Sequence, residues 1–253
     1  SNPTTAEDVR FSVSFSTPVT GVDVGDFRLT IEDLNGAYIR EVNGSGADYT
    51  VSVFTGLNSG TIRLDLIDDD SIKTMDGTLL GLSGTRNGNY NSGEMYTIDR
   101  IPPSVKSIVL ANPNPNNSDL VAFKITFSEP VINVDRDDFL HVSQGLSGVN
   151  VTNVSGSGAE YTITIDTGTG SGTLGLNLID NDTILDLAQN FLGGQGTGNG
   201  DFANGAIYAI KEGPIFEDTP NDWSLPWIER LYQAGLTNGC NQSPLLYCPF
   251  NEV

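Results

Sequence analysis

Two short runs hold most of the groups that could do chemistry. LIDDDSI, beginning at Leu66, and LIDNDTI, beginning at Leu178, each end an apolar stretch with carboxylates at alternate positions. Asp68, Asp70, Asp180 and Asp182, with Asp186 four residues further on, supply the hard oxygen ligands that calcium takes after a strand. They are the candidate metal ligands of the chain, and calcium is the candidate cofactor. Asp and Asn are equally the ordinary residues of a strand-to-turn corner, and the spacing does not match a twelve-residue calcium loop closed by Glu. Asp23, Asp26, Asp135 and Asp138 recur in the same paired way and read as turn and cap residues.

Cys240 and Cys248 are the only cysteines. They sit in a turn-rich loop that can fold back on itself, so they read as a disulfide whose loop closure contributes about 2–3 kcal/mol. An oxidised pair fits an extracytoplasmic location; metal binding by two thiolates without a neighbouring histidine is the alternative. The sole histidine, His141, stands where the sister segment described below has Leu29, which makes it a packing or surface residue and leaves a Ser-His-Asp arrangement without raw material. Carboxylates abound, but none is singled out as an acid and base couple. The glycines of GGQGTGNG, from Gly193, lack the following helix and lysine of a phosphate-binding loop. The chain therefore reads as not an enzyme.

With 32 acidic against 12 basic residues the formal charge is -20, a field that repels nucleic acid and anionic lipid. No apolar run approaches the roughly eighteen residues of a spanning helix, so no membrane span is expected. Nothing at Ser1 resembles a signal peptide, and a secreted form would have been processed or cut from something longer.

The elements that must position these groups come in duplicate. Sliding the chain against itself by 112 positions aligns Pro3 to Ile98 without a gap, with about forty of ninety-six positions identical. VNGSGADYTV at Val42 returns as VSGSGAEYTI at Val154, and FSVSFSTPVTGVD at Phe11 faces FKITFSEPVINVD at Phe123. Within a copy the period is two: Val9, Phe11, Val13 and Phe15 alternate with polar neighbours, as do Val121, Phe123, Ile125 and Phe127. Further strands are expected at Phe27–Ile31, Tyr38–Val42, Tyr49–Val53, Ile62–Leu66 and Met95–Ile98, separated by turn formers. About seven short strands per hundred residues predict an all-β chain of two tandem immunoglobulin-like sandwiches, residues 1–99 and 100–213. A strand over Ser104–Ala111 precedes the second copy. The first copy has no counterpart, so its opening edge is expected to be bare, either because the sequence is a fragment or because a strand from another chain completes it.

The words TFSEPV with VDRDDF, GSGAEYTI, and GTLGLNLIDNDTILDLAQNFLGG followed by GNGDF and YAI resemble the bacterial immunoglobulin-like repeat of large secreted and cell-surface proteins, over almost all of residues 2–213. That resemblance implies stalk, adhesion or spacer modules with no shared catalytic residues. After Gly213 the texture changes. Leu225, Ile228, Leu231 and Tyr232 fall at helical spacing, with Asp222 or Ser224 as N-cap, Pro226 in the first turn and Gly235 as C-cap. This predicts one amphipathic helix of about ten to twelve residues within a third segment, 214–253. Phe216, Asp218 and Pro220, Trp223, Ala234–Leu236, and Cys248 with Pro249 resemble the first half of an S-layer homology module. In that family a second helix, opening with a Thr-Arg-Ala-Glu-like motif, helps bind cell-wall polysaccharide; the present sequence stops at Val253, where that motif would begin.

The expected role is a structural or adhesive segment of an extracellular or cell-surface protein, a stalk or a filament subunit joined by strand donation. Its partners would be other copies of itself, cell-surface components, or cell-wall polysaccharide through a longer parent. The alternative is an accessory or carbohydrate-binding region of a secreted hydrolase.

Overall fold

Alternating side chains decide this architecture, because a strand with apolar residues every second position can bury only one face. A computed structural model describes residues 1–219 and 223–248, and Pro220, Asp222 and Pro249 of the motifs above lie outside the described residues. Among the described residues the fold is all-β apart from one short α-helix and two single 3-10 turns, and no helix there is long and apolar enough to cross a membrane. It divides into two compact units, one built on Ser1–Ile101 and the other on Pro102–Asp186 with Phe191 onward.

The first unit holds β1 (Asp8–Thr20), β2 (Phe27–Glu32), β3 (Tyr38–Phe54), β4 (Gly60–Leu66), β5 (Lys73–Thr74) and β6 (Met95–Ile98). They form two antiparallel sheets, ordered β3-β1-β5 and β2-β4-β6. Val9, Phe11, Val51 and Val53 of one sheet share a core with Phe27, Ile62, Leu64, Leu66 and Ile98 of the other. The arrangement is sandwich-like. The two strands expected within 38–53 form a single run that folds back on itself. Its Tyr38 and Phe54 rings lie 5.3 Å apart, and a Cβ on Gly44 would meet the Asp48 carbonyl.

The second unit holds β7 (Val105–Leu110), β8 (Leu120–Phe127), β9 (Val131–Ile132), β10 (Phe139–Gln144), β11 (Asn150–Ser157), β12 (Glu160–Asp166), β13 (Gly172–Leu178), β14 (Leu185–Asp186) and β15 (Ile207–Ile210). Its main sheets run β11-β12-β8-β7 and β10-β13-β15. The ladders repeat those of the first unit at an offset of 112. Phe27 pairs Leu66 and Phe139 pairs Leu178; Phe11 pairs Val51 and Phe123 pairs Ile163; Gly60 pairs Ile98 and Gly172 pairs Ile210. Even the ring contacts recur. Phe15 meets Tyr49 and Phe127 meets Tyr161 edge to face, each at 5.8 Å.

One difference matters. β7 pairs antiparallel with β8, and beneath it Phe123, Ile125 and Phe127 are at most 1% exposed. Phe11–Ser14 pair with β3 on one edge, but among the described residues no strand of the first unit pairs along their other edge, and Val13 and Phe15 are only half-buried.

The tail belongs to the second unit. Its helix α1 (Leu225–Gln233) has Ser224 at the N-cap position, Pro226 in the first turn and Gly235 in the left-handed conformation that ends helices. The buried stripe is narrower than the sequence suggests. Ile228 and Tyr232 pack with Ile215, Phe216 and Leu245, whereas Leu231 is 41% exposed. The flank next to the stripe bonds to the second unit instead: Glu229 accepts from the Asn117 side chain at 2.8 Å, and Gln233 accepts from Asn116 at 2.8 Å. Two short strands, β16 (Asn241–Gln242) and β17 (Leu245–Leu246), close the loop.

Sister positions make the energetics testable. Phe127→Ala empties a fully packed site and should cost about 3–5 kcal/mol. Phe15→Ala removes a ring already half in solvent and should cost clearly less. Urea unfolding of the two variants checks this, and equal losses would mean that the two edges are packed alike.

Candidate functional site

The acidic residues gather at two equivalent corners, where β4 and β13 end. At the first, the Asp68 carboxylate is buried and accepts from the Asp70 N–H at 3.1 Å and the Gly88 N–H at 3.0 Å. Asp70 accepts from the Gly84 N–H with both oxygens, at 3.1 Å each. At the second, Asp180 accepts from the N–H groups of Asp182 and Gly200, both at 3.1 Å, and Asp182 from that of Gly196 at 3.2 and 3.1 Å. These carboxylates staple a following glycine-rich loop, residues 81–89 or 193–201, onto the corner. Charge-assisted bonds to backbone N–H groups are among the stronger ones a loop can make.

The glycines are required by geometry. A Cβ on Gly88 would lie 2.7 Å from the Leu80 side chain, and one on Gly200 would lie 2.7 Å from Leu192. Gly84 and Gly196 have φ of 121° and 114°, a region closed to most side chains. Sequence reasoning passed over these donors. The available signal was that Gly84, Gly88, Gly196 and Gly200 recur in register, fourteen and twenty residues after the carboxylates they serve.

A second pair of carboxylates lies at each corner, one buried (Asp26, Asp138) and one exposed (Asp23, Asp135). Asp23 and Asp26 form a reciprocal cap on the 3-10 turn Val24–Asp26, and Asp135 and Asp138 do the same on Arg136–Asp138. Asp26 also accepts from the Ser71 hydroxyl at 2.5 Å, and Asp138 from that of Thr183 at 2.9 Å. Burial pushes both carboxyls above the ordinary range, while the hydroxyl and the N–H of Asp23 or Asp135 oppose it without cancelling it.

The structure thus brings Asp68 to Asp70 and Asp180 to Asp182, as the sequence suggests, and sets their oxygens on amides, the turn-and-cap arrangement. Asp186 does not join them. It is buried on β14, opposite Val131. Among the described residues, neither corner gathers three acidic, histidine or cysteine side chains with ligand atoms within 4.8 Å of one another. His141 pairs with Leu176 in mid-strand, and its Nδ1 is buried without a hydrogen-bond partner.

In the tail, Cys240 and Cys248 form a disulfide. Phe216 fills the small core against Tyr232 and Tyr247, at ring separations of 5.3 and 5.5 Å. Asp218 accepts from the N–H groups of Tyr247 and Cys248, both at 2.7 Å. Burial raises its carboxyl, but those two N–H groups outweigh that and hold it below the ordinary range.

A comparison with protein-family models finds none that matches this chain, and a comparison with curated proteins finds no matching sequence.

Two measurements examine the corners. With the oxygens held by amides, the melting midpoint should be the same with and without chelator, and a drop of several degrees would assign calcium to Asp68, Asp70, Asp180 and Asp182. The second concerns charge. A raised folded-state pKa means that ionised Asp138 weakens the fold near neutral pH, and the penalty fades as pH falls through the raised value towards 3.8. The advantage in midpoint of Asp138→Asn over the parent should therefore be largest near pH 7 and shrink towards about pH 4. A difference that ignores pH would show that burial does not disfavour the charge.

Proposed function

We propose that this chain is a non-catalytic structural segment of an extracellular or cell-surface protein, made of two tandem immunoglobulin-like sandwiches followed by an S-layer-homology-like segment. The observation that carries the reading is that the two units repeat the same ladders and the same stapled corners at one fixed offset. Such duplication suits spacers, which gain reach by adding identical rigid modules. The corner aspartates serve rigidity by tying each long glycine-rich loop down. The disulfide fits an oxidising compartment, and the charge of -20 keeps the segment soluble and away from polyanions. In the tail, Trp223 and Trp227 are 82% and 60% exposed. Indole faces of this kind stack on sugar rings, which supports cell-wall polysaccharide as a partner of that end.

Immunogold labelling of intact cells of the source organism with antibodies to this chain tests the placement. Label on the outer surface is expected; label that needs broken cells would overturn the reading.

A further inference from the structure

The tail carries a small core of its own. Ile215, Phe216, Ile228, Tyr232 and Leu245 are buried together, with Tyr247 packed against them. Among the described residues, none of these side chains joins the larger core of the second unit around Phe123, Ile163 and Leu176. Apolar burial on so small a scale does not hold a segment by itself, and small segments of this kind rely on a covalent staple. Here the staple is the Cys240–Cys248 bond, which closes a loop across a sequence separation of 8.

The closed loop forms one wall of that core. Leu245 enters it from β17, whose ladder with β16 consists of Asn241 with Leu246 and Gln242 with Leu245. Gly239, just before the first cysteine, packs so closely that a Cβ there would lie 2.6 Å from the Phe216 ring and 2.3 Å from the Leu246 carbonyl. The Glu217 N–H donates to the Leu245 carbonyl at 2.9 Å and the Cys240 N–H to that of Leu246 at 2.8 Å, while Asp218 holds the Tyr247 and Cys248 amides. On its other flank α1 meets the second unit through polar groups. Besides the bonds from Asn116 and Asn117, Gln233 donates to the Asn117 side chain at 3.1 Å, and Glu229 accepts from the Ile215 N–H at 3.2 Å. Bonds of this kind contribute little net stability each, so the loop that covers the apolar side of α1 decides whether the helix stays in place. The bond that closes the loop is open to reagents, because Cys240 is exposed and Cys248 only half-buried.

We propose that the Cys240–Cys248 bond is a thiol-responsive latch: exchange with a small dithiol opens the loop and shifts α1, with Trp223 and Trp227, from the docked towards the undocked state. One thiolate of the dithiol attacks the Cys240 Sγ, and Cys248 leaves as a thiolate that takes a proton from water. The second thiolate of the reagent then attacks the reagent's own sulfur in the mixed disulfide, closing a cyclic disulfide and releasing Cys240, which is protonated in turn. Two electrons and two protons pass from the dithiol to the protein. The latch concerns the attachment of the tail and depends neither on where the protein resides nor on what the tryptophans bind, so surface labelling and latch opening can fail separately.

The test uses the full 253-residue chain, folded and without denaturant, treated with dithiothreitol and then compared with the untreated chain. No residue is altered, so folding of a variant is not at stake. Alkylation followed by mass measurement should find both cysteines reduced. Amide exchange of residues 228–236 and 245–248 should then quicken on the order of a hundredfold, the entropy of closing so short a loop, while residues 121–127 and 161–165 in the strands keep their rates. Reoxidation with the cyclic disulfide of the reagent should restore the slow exchange. The proposal is overturned if the cysteines resist reduction in the folded chain, if reduction leaves the exchange of α1 unchanged, or if the strands quicken equally. Slow exchange that fails to return on reoxidation would also overturn it.

Discussion

Each unit depends on strand register. The side chains of Val9–Phe15 and Val121–Phe127 point inward only because β1 pairs with β3, and β8 with β12, in one alignment; a slip of a single residue would turn every buried side chain to solvent. That alignment is held from both ends. At one end the backbone folds back around Gly44 or Gly156, each too close to the returning strand for a Cβ. At the other end Thr55 and Thr167 hydroxyls bond the chain that leads into β1 or β8. With register set, the second sheet of each unit closes over the same apolar face.

The corner carboxylates follow from this arrangement. A sandwich of this size leaves long connections between its sheets, and a glycine-rich connection has more conformational freedom to lose than any other. Asp68, Asp70 and their sisters offset that loss by giving the loop amides fixed acceptors. The same short polar side chains that could wrap an ion are therefore engaged in holding the chain to itself, and Asp70 and Asp182 adopt the left-handed backbone that short polar residues tolerate. Asp26 and Asp138 are buried with hydroxyl and amide donors in reach, and burial outweighs those donors, which is why their carboxyls titrate upward and not downward. The tail reverses that balance: at Asp218 burial again raises the carboxyl, but the Tyr247 and Cys248 amides together outweigh it.

The two units also show what one strand is worth in local terms. The apolar sequence of β1 matches that of β8 almost position for position, yet Phe127 is buried and Phe15 is not, and Tyr208 is enclosed while Tyr96 remains half open. Identical residues thus meet different solvent because a neighbour is present in one copy and not in the other. The bare edge is a property of what lies beside the strand.

Much was legible in the sequence because strands announce themselves by period two and because duplication gives an internal control. The strand positions, the all-β class, the helix, the disulfide and the pairing of Asp68 with Asp70 were all readable from spacing. Hydrogen-bond donors were not. Which amides the carboxylates would hold depends on Gly84 and Gly88 being brought back across fourteen and twenty residues, a long-range closure that no local pattern encodes. The separation of Asp186 from Asp180 and Asp182 and the exposure of Leu231 were likewise decided by tertiary packing, because burial is a relation between surfaces that the sequence places far apart.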